Sequence, residues 1–385
     1  MICRRTPRMA RTATLILLSA VFAGCDLFGD KESGPTETTE SVIVANGGNF
    51  SDQNGFLSMY DPTTGSISNS VDLGGFAPAM AIHNGEVFVL LNTFSTGRIS
   101  VVDPSSGSVS RQFQGLPGPR GITFIDDSKA MVTNLSPFGE NGAEPAAVSM
   151  IDIQSGTVDA DVVTVGIYPE GIVEYAGRVY VANSGNLGSG TTLSVIDAGT
   201  KTAVGSIELG CDGPNEIFVD PDDELIVVCE GKVVYNDDFS EIIDQTSGQI
   251  VAVDPATQAV VGRTVLPTQA GSENGSQSAY LNAAAEELYA IDTGTGSVYR
   301  YATDSNTLTA TLNVPAAADL VGLSAVAYDD ASKSLYVARL ARGAGGFPDF
   351  SASGAVVILD RSGKQTGRFT VGPAPTHIEF LRSGR

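Results

Sequence analysis

The sequence predicts an all-β fold, a ring of seven four-stranded antiparallel blades, and three observations predict it. A β-run that ends in Asp and is followed by a short turn recurs at Asp61, Asp103, Asp152, Asp197, Asp254, Asp304 and Asp360. The separations are 42, 49, 45, 57, 50 and 56 residues. An apolar run, often opened by Pro, recurs with the same frequency, as in APAMAIH, GPRGITFI, YPEGIVEY, GPNEIFVD and APTHIEFL. Composition points the same way: 44 Gly, no Trp, and Val, Ile, Thr and Ser lying between turn signals. Length alone, at 385 residues, suggests two or three domains, but an internal period of 40 to 60 residues overrides that prior and is the mark of a seven-bladed β-propeller.

Each element has a local reason. Asp or Asp-Pro opens a turn by accepting backbone hydrogen bonds on its own carboxylate, and a later Gly takes the φ > 0 position. SMYDPTTGSI, VVDPSSGSV and MIDIQSGTV are therefore hairpins between a third and a fourth strand. Second strands read SVIVAN, EVFVLLN, AMVTN, RVYVAN, LIVVCE, ELYAID and SLYVAR. The array starts on a second strand, Ser41 to Asn46, and finishes on a surplus first strand, Thr376 to Leu381. The last strand is thus expected to complete the first blade and close the ring, leaving no long open sheet edge.

The chain opens MICRRTPRMARTATLILLSAVFAGCD, a basic stretch and a short apolar core ahead of Ala23-Gly24-Cys25. Such a core is too short to remain as a membrane span and reads as a secretory signal over residues 1–24. Small residues before Cys25 predict lipidation of that cysteine, and 25–40 reads as a polar stalk ahead of a propeller over 41–385. The expected address is the bacterial cell envelope, with the lipid as the only membrane contact.

Segment 178–209, RVYVANSGNLGSGTTLSVIDAGTKTAVGSIEL, resembles the YVTN or YncE-like repeat, in which V-Y-V-A-N precedes V-S-V-I-D. The opening of the domain is similar to lipid-anchored surface proteins of that type. The resemblance implies a propeller on an exported protein and no single chemistry.

The formal net charge is -22. Setting aside the four arginines of the leader, 18 basic residues face 44 acidic ones. That balance repels nucleic acid and anionic headgroups and excludes both as direct partners.

Loop lengths are asymmetric: the Asp turns stay short, whereas the loops between second and third strands swell in blades 3, 5 and 7. A variable rim is where repeat proteins bind. The starts of the first strands open onto the same rim and bring Arg120, Glu170, Asn215, Glu216, Thr376 and His377 to the channel mouth, as a small-ligand site. Phe50, Phe94, Phe138, Tyr235, Phe239, Phe347 and Phe350 decorate the loops as rings for a glycan or protein partner, or as pins for their own loops.

Catalytic constellations are missing. The two histidines, His83 and His377, fall on opposite faces, and no G-x-S-x-G elbow, P-loop or H-E-x-x-H occurs. No cofactor is expected; calcium on Glu170, Asn215 and Glu216, or on the acidic run Asp237, Asp238, Glu241 and Asp244, is the alternative. Cys211 and Cys229 flank a predicted strand pair in an exported domain and are expected to form a disulfide. The leading expectation is a monomeric, non-enzymatic binding or scaffold protein with a protein or glycan partner. Behind it stand a divalent-cation-dependent hydrolase or lyase of lactonase type and a subunit of a redox or uptake complex.

Overall fold

The computed structural model of the chain describes residues 38–93, 96–140, 142–274 and 277–383. The leader, Cys25 and Phe94 lie outside the described residues. Seven antiparallel four-stranded sheets form a β-propeller. Their innermost strands are Pro375–Ser383, Phe76–His83, Pro119–Asp126, Pro169–Tyr175, Pro214–Val219, Ala279–Asn282 and Leu320–Asp329, for blades 1 to 7. Five of these begin on Pro, Phe-Ala-Pro or an equivalent extended start, where a missing N–H costs the blade nothing at its inner edge.

The ring closes as the sequence predicts. Pro375–Ser383 pairs with Thr38–Asn46, from Thr38 opposite Ser383 to Asn46 opposite Pro375. The pairing begins three residues ahead of Ser41, because a bulge between Thr39 and Ser41 carries it past the core positions. Thr38 therefore enters the domain on the face of the short turns, opposite the swollen loops.

The core consists of apolar layers between neighbouring blades. Side chains alternate to the two faces of each sheet, so one second strand feeds two interfaces. In blade 1, Val42 and Val44 pack toward blade 7, while Ile43 and Ala45 pack toward blade 2. Buried tyrosines supply bulk where Trp is absent, with Tyr289 and Tyr328 stacked at 4.9 Å between blades 6 and 7.

The Asp turns form by the expected chemistry. Asp61 Oδ1 accepts the Thr63 and Thr64 amides at 2.7 and 3.2 Å. Side-chain and backbone hydrogen bonds hold the Asp61, Asp103, Asp152, Asp197, Asp254 and Asp360 carboxyls below the usual carboxylate range. Blade 6 differs from the expectation. There Ala302 takes the register of Asp254, since Ala302 faces Thr307 as Asp254 faces Ala259. Asp304 falls two residues later, so the count of seven survives although that turn is not closed by its aspartate.

The swollen loops are more ordered than loops alone. Blade 3 carries a small hairpin of Phe138–Gly139 and Gly142–Ala143, blade 5 one of Val233–Tyr235 and Ile242–Gln245, and in blade 7 Pro348–Asp349 pairs back onto the second strand.

An asparagine closes the second strand of several blades. Asn134, opposite Pro119, donates from Nδ2 to the Ala147 carbonyl at 2.9 Å and the Ser149 hydroxyl at 2.8 Å. Asn183, opposite Pro169, donates from Nδ2 to the Thr192 and Ser194 hydroxyls, each at 3.0 Å. In blade 5 this register holds Cys229, opposite Pro214, and Cys229 is bonded to Cys211. A covalent clamp thus stands where other blades use a carboxamide. Replacing both cysteines by Ala is expected to lower unfolding free energy by about 3 kcal/mol, from closure entropy of a loop this short. Urea unfolding of oxidised and reduced protein checks it; identical midpoints would contradict the role.

Candidate functional site

Strand alternation decides which channel-mouth residues reach the channel. The first strands contribute Arg120, Glu170, Asn215, Glu216 and His377 to the wall of a central cavity of ≈ 330 Å³. Thr376, expected beside them, points the other way. It is fully buried, and its hydroxyl donates to the carbonyls of Ala45 and Ala77 at 3.2 and 2.7 Å, tying blade 1 to blade 2. His377 faces the channel while Thr376, one residue earlier, turns between the blades; in blade 5 a bulge between Pro214 and Glu216 lets Asn215 and Glu216 both line it.

Arg120 donates from Nε to Glu170 Oε2 at 2.8 Å, bridging blades 3 and 4. Burial disfavours the guanidinium charge, but the fields of Glu170, Glu230 and Glu216 more than offset it, and the Arg120 pKa rises. Asn215 donates to a carboxyl oxygen of Glu230, a residue that the sequence reading missed. Glu216 accepts the Ser278 amide at 3.1 Å. His377 approaches Glu379 at 3.4 Å through Nε2, and its Nδ1 has no hydrogen-bond partner among the described residues.

The electrostatics are unusual. Burial pushes Glu216 up to about 7; His377 and the Ser278 amide act downward, and the charges of Glu230 and Glu170 act upward. Burial likewise lifts Glu230 to about 7, against its Asn215 hydrogen bond and Arg120, and with Glu170. Three carboxyls thus share one guanidinium, and two of them sit where protonation is poised near neutrality. Among the described residues, no three His, Cys, Asp or Glu converge as metal ligands.

A signal for Glu230 was present. Residues immediately after the second-strand asparagines are Gly47, Thr93, Leu135 and Ser184, whereas blade 5 places Glu230 after Cys229. A charge at that register departs from the repeat.

The segment ahead of the first strand of blade 6 was not singled out in the sequence, yet it bridges to two other blades. Glu273 donates its amide to the Leu323 carbonyl of blade 7 at 2.9 Å, and Asn274 donates to the Pro375 carbonyl of blade 1 at 2.8 Å. The Gln277 side chain accepts the Ile378 amide at 2.9 Å and donates to the Ile378 carbonyl at 3.2 Å, imitating a strand pair. Gln277 lines the cavity, whereas none of the blade 7 strand Leu320–Asp329 does.

Two further cavities flank the channel on the loop-rich face. One of ≈ 500 Å³ is lined by Glu170, Glu230, Tyr235 and Gln269 among blades 4 to 6. The other, of ≈ 680 Å³, lies among blades 1 to 3. Phe138, Phe239 and Phe347 stand 78%, 70% and 74% exposed on the swollen loops of the same face. Phe50 lies edge-on to Phe76 at 6.1 Å and Tyr235 beside Phe239 at 5.8 Å, so those two rings partly pin their own loops. The opposite face carries His83, stacked on Phe124 at 3.9 Å.

No family model matches the chain, and no curated protein matches it in sequence. Solved structures do. A Bacteroides fragilis protein described as a candidate 6-phosphogluconolactonase is similar over 89% of this chain and 98% of its own, at 13% identity and a TM-score of 0.57. Apo AztD from Citrobacter koseri is similar over 90% and 99%, at 14% identity and a TM-score of 0.52. Hydrazine synthase from Kuenenia stuttgartiensis is similar over 76% and 78%, at 18% identity and a TM-score of 0.55. The first two are seven-bladed propellers. At such identities the likeness speaks for the fold alone.

Proposed function

We propose that the chain is an exported, lipid-tethered binding protein that takes a ligand or partner carrying a cationic amine at the mouth of its channel. The observation that carries this reading is the cluster of Glu170, Glu216 and Glu230 around the single Arg120, on the face with the variable loops. An ammonium group supplies several N–H donors to carboxyl oxygens and replaces the proton that burial forces on them. The spread of the donors suits an amine better than a calcium ion. The partner is a small amine or a lysine or arginine side chain of another protein. Lipidation at Cys25, an envelope location and the YncE-like resemblance complete the reading, and the leader sequence supports them.

Calorimetric titration with ethanolamine, putrescine and free lysine tests the proposal on protein lacking residues 1–24. Binding is expected for at least one, tighter at pH 8 than at pH 6, and at least tenfold weaker in Glu216→Gln/Glu230→Gln. Affinity indifferent to that double substitution would overturn it.

A second reading rests on the same two carboxyls, because groups poised near neutrality are also what general acid–base chemistry requires. It makes the chain a hydrolase of lactonase type. Turnover of simple lactones that disappears in Glu216→Gln would favour it over the binding role.

A further inference from the structure

The channel is polar at its mouth and largely apolar below, with one acid set deeper than the others. Arg120, Glu170, Asn215 and Glu216 are second or third residues of their strands, whereas Glu379 is the fifth residue of Pro375–Ser383. No bulge interrupts the blade 1 pairing between His377 and Glu379, and both line the cavity. Residues two apart on a strand share a face, so Glu379 lies one step of about 6.7 Å below His377. Met80, Ile122, Ile172, Phe218 and Leu281, from the third to fifth positions of their strands, form an apolar belt in the same wall.

The acceptors in this wall are under-used. Asn215 is 9% exposed and spends its Nδ2 on Glu230, while its Oδ1 accepts no hydrogen bond among the described residues. Unlike the sealed Oδ1 atoms of Asn92 and Asn134, that oxygen stays accessible to the channel. Among the described residues, the Glu216 side chain accepts one amide, that of Ser278. Glu379 has one cationic neighbour there, His377 at 3.4 Å, an imidazole that carries charge only when protonated.

Both depths therefore call for N–H donors, and the belt around them favours methylenes over further polar atoms. A metal ion, held at about 2.3–2.6 Å by all its ligands, cannot use both depths at once. Two ammonium groups on one flexible chain can. An extended chain gains ~1.2 Å per bond, so about five to seven bonds cover the step.

We propose that the channel binds a linear α,ω-diamine of about four to six carbons. One ammonium meets Asn215 and Glu216, the other meets Glu379, and the methylenes lie against the apolar belt. The inference rests on the amine-binding role proposed above and specifies its ligand as a dication.

Calorimetry on protein lacking residues 1–24 compares butylamine with putrescine and pentylamine with cadaverine. The titrations are run near pH 7.5 in about 0.15 M salt, where exposed charges more than about 8 Å apart are largely screened. At least one diamine is expected to bind tenfold tighter, or more, than its monoamine. In Glu379→Gln that advantage should vanish while monoamine affinity stays within about twofold. Asp159→Asn, which removes an acid from the exposed outer strand of blade 3, should keep the advantage. Thermal unfolding verifies that both variants fold; should Glu379→Gln not fold, the comparison in the native sequence decides alone. Equal affinities for diamine and monoamine overturn this inference and leave the amine-binding role standing. So does a diamine advantage that survives Glu379→Gln or is lost in Asp159→Asn. No binding of any of the four amines overturns both.

Discussion

Removal of residues 375–385 is expected to abolish cooperative folding of the whole domain, not merely to loosen blade 1. The strand Pro375–Ser383 pairs with Thr38–Asn46 along its full length, and Val42, Ile43, Val44 and Ala45 of that partner are fully buried. Deleting the strand takes away Ile378 and Phe380, 0% and 7% exposed. It also removes the Thr376 bonds to Ala45 and Ala77 and the Gln277 pairing to Ile378. Burial of an Ile or Phe side chain is worth roughly 1.5–3 kcal/mol. The loss of two, with partner side chains uncovered and a row of backbone groups unpaired, is comparable to a typical total stability of about 5–15 kcal/mol. Soluble yield, circular dichroism and a thermal scan of the truncated chain measure it. A single cooperative transition within a few degrees of the full-length protein would show that the closing strand is dispensable.

The second large effect is a pH dependence of stability running opposite to the usual carboxylate case. Glu216 and Glu230 titrate near 7 in the folded protein and near 4.5 when unfolded. Between those values the folded state holds protons that the unfolded chain has released, so stability falls as pH rises. The penalty is absent below about pH 4.5, grows through the window and is complete above about pH 7. At ~1.4 kcal/mol per pH unit each carboxyl contributes up to about 3 kcal/mol, less whatever channel water relieves. The Glu216→Gln/Glu230→Gln protein is therefore expected to be about 2–4 kcal/mol more stable than the native sequence at pH 8 and little different at pH 4.5. Melting temperatures from pH 4.5 to 8.5 test this: the two curves should diverge by several degrees toward alkaline pH. Parallel curves would mean that the two carboxyls are well solvated. A gain in stability on removing charged residues would also mark them as retained for function rather than folding.

The blades were legible because their signals are local. An Asp that closes its own turn, a Gly at positive φ such as Gly65 and alternating apolar runs act within a few residues. Ring closure followed from counting strands. Even the misplaced Asp304 cost nothing, since hairpin pairing around Ala302 and Thr307 depends on register and not on which residue caps the turn.

The site was legible only in part, for a geometric reason. Arg120, Glu170, Asn215, Glu216 and His377 were found because every first strand starts at the same rim. Thr376 was misassigned because a one-residue step reverses the direction of a strand side chain. Glu230 was missed because it follows the end of a second strand and meets the mouth through Asn215.

By itself, then, the sequence determined the strand order, the closure of the ring, the rim bearing long loops and its acidic character, because each follows from residues close in the chain or from repetition. Only the tertiary structure decided the rest. It brought Glu230, just past the end of a second strand, into the field of Glu170 and Glu216 of two first strands, and sent Gln277 across to Ile378. It also buried two glutamates deeply enough to hold protons near neutrality. Desolvation and hydrogen-bond satisfaction depend on every atom around a group, and those atoms come from blades dozens to hundreds of residues apart.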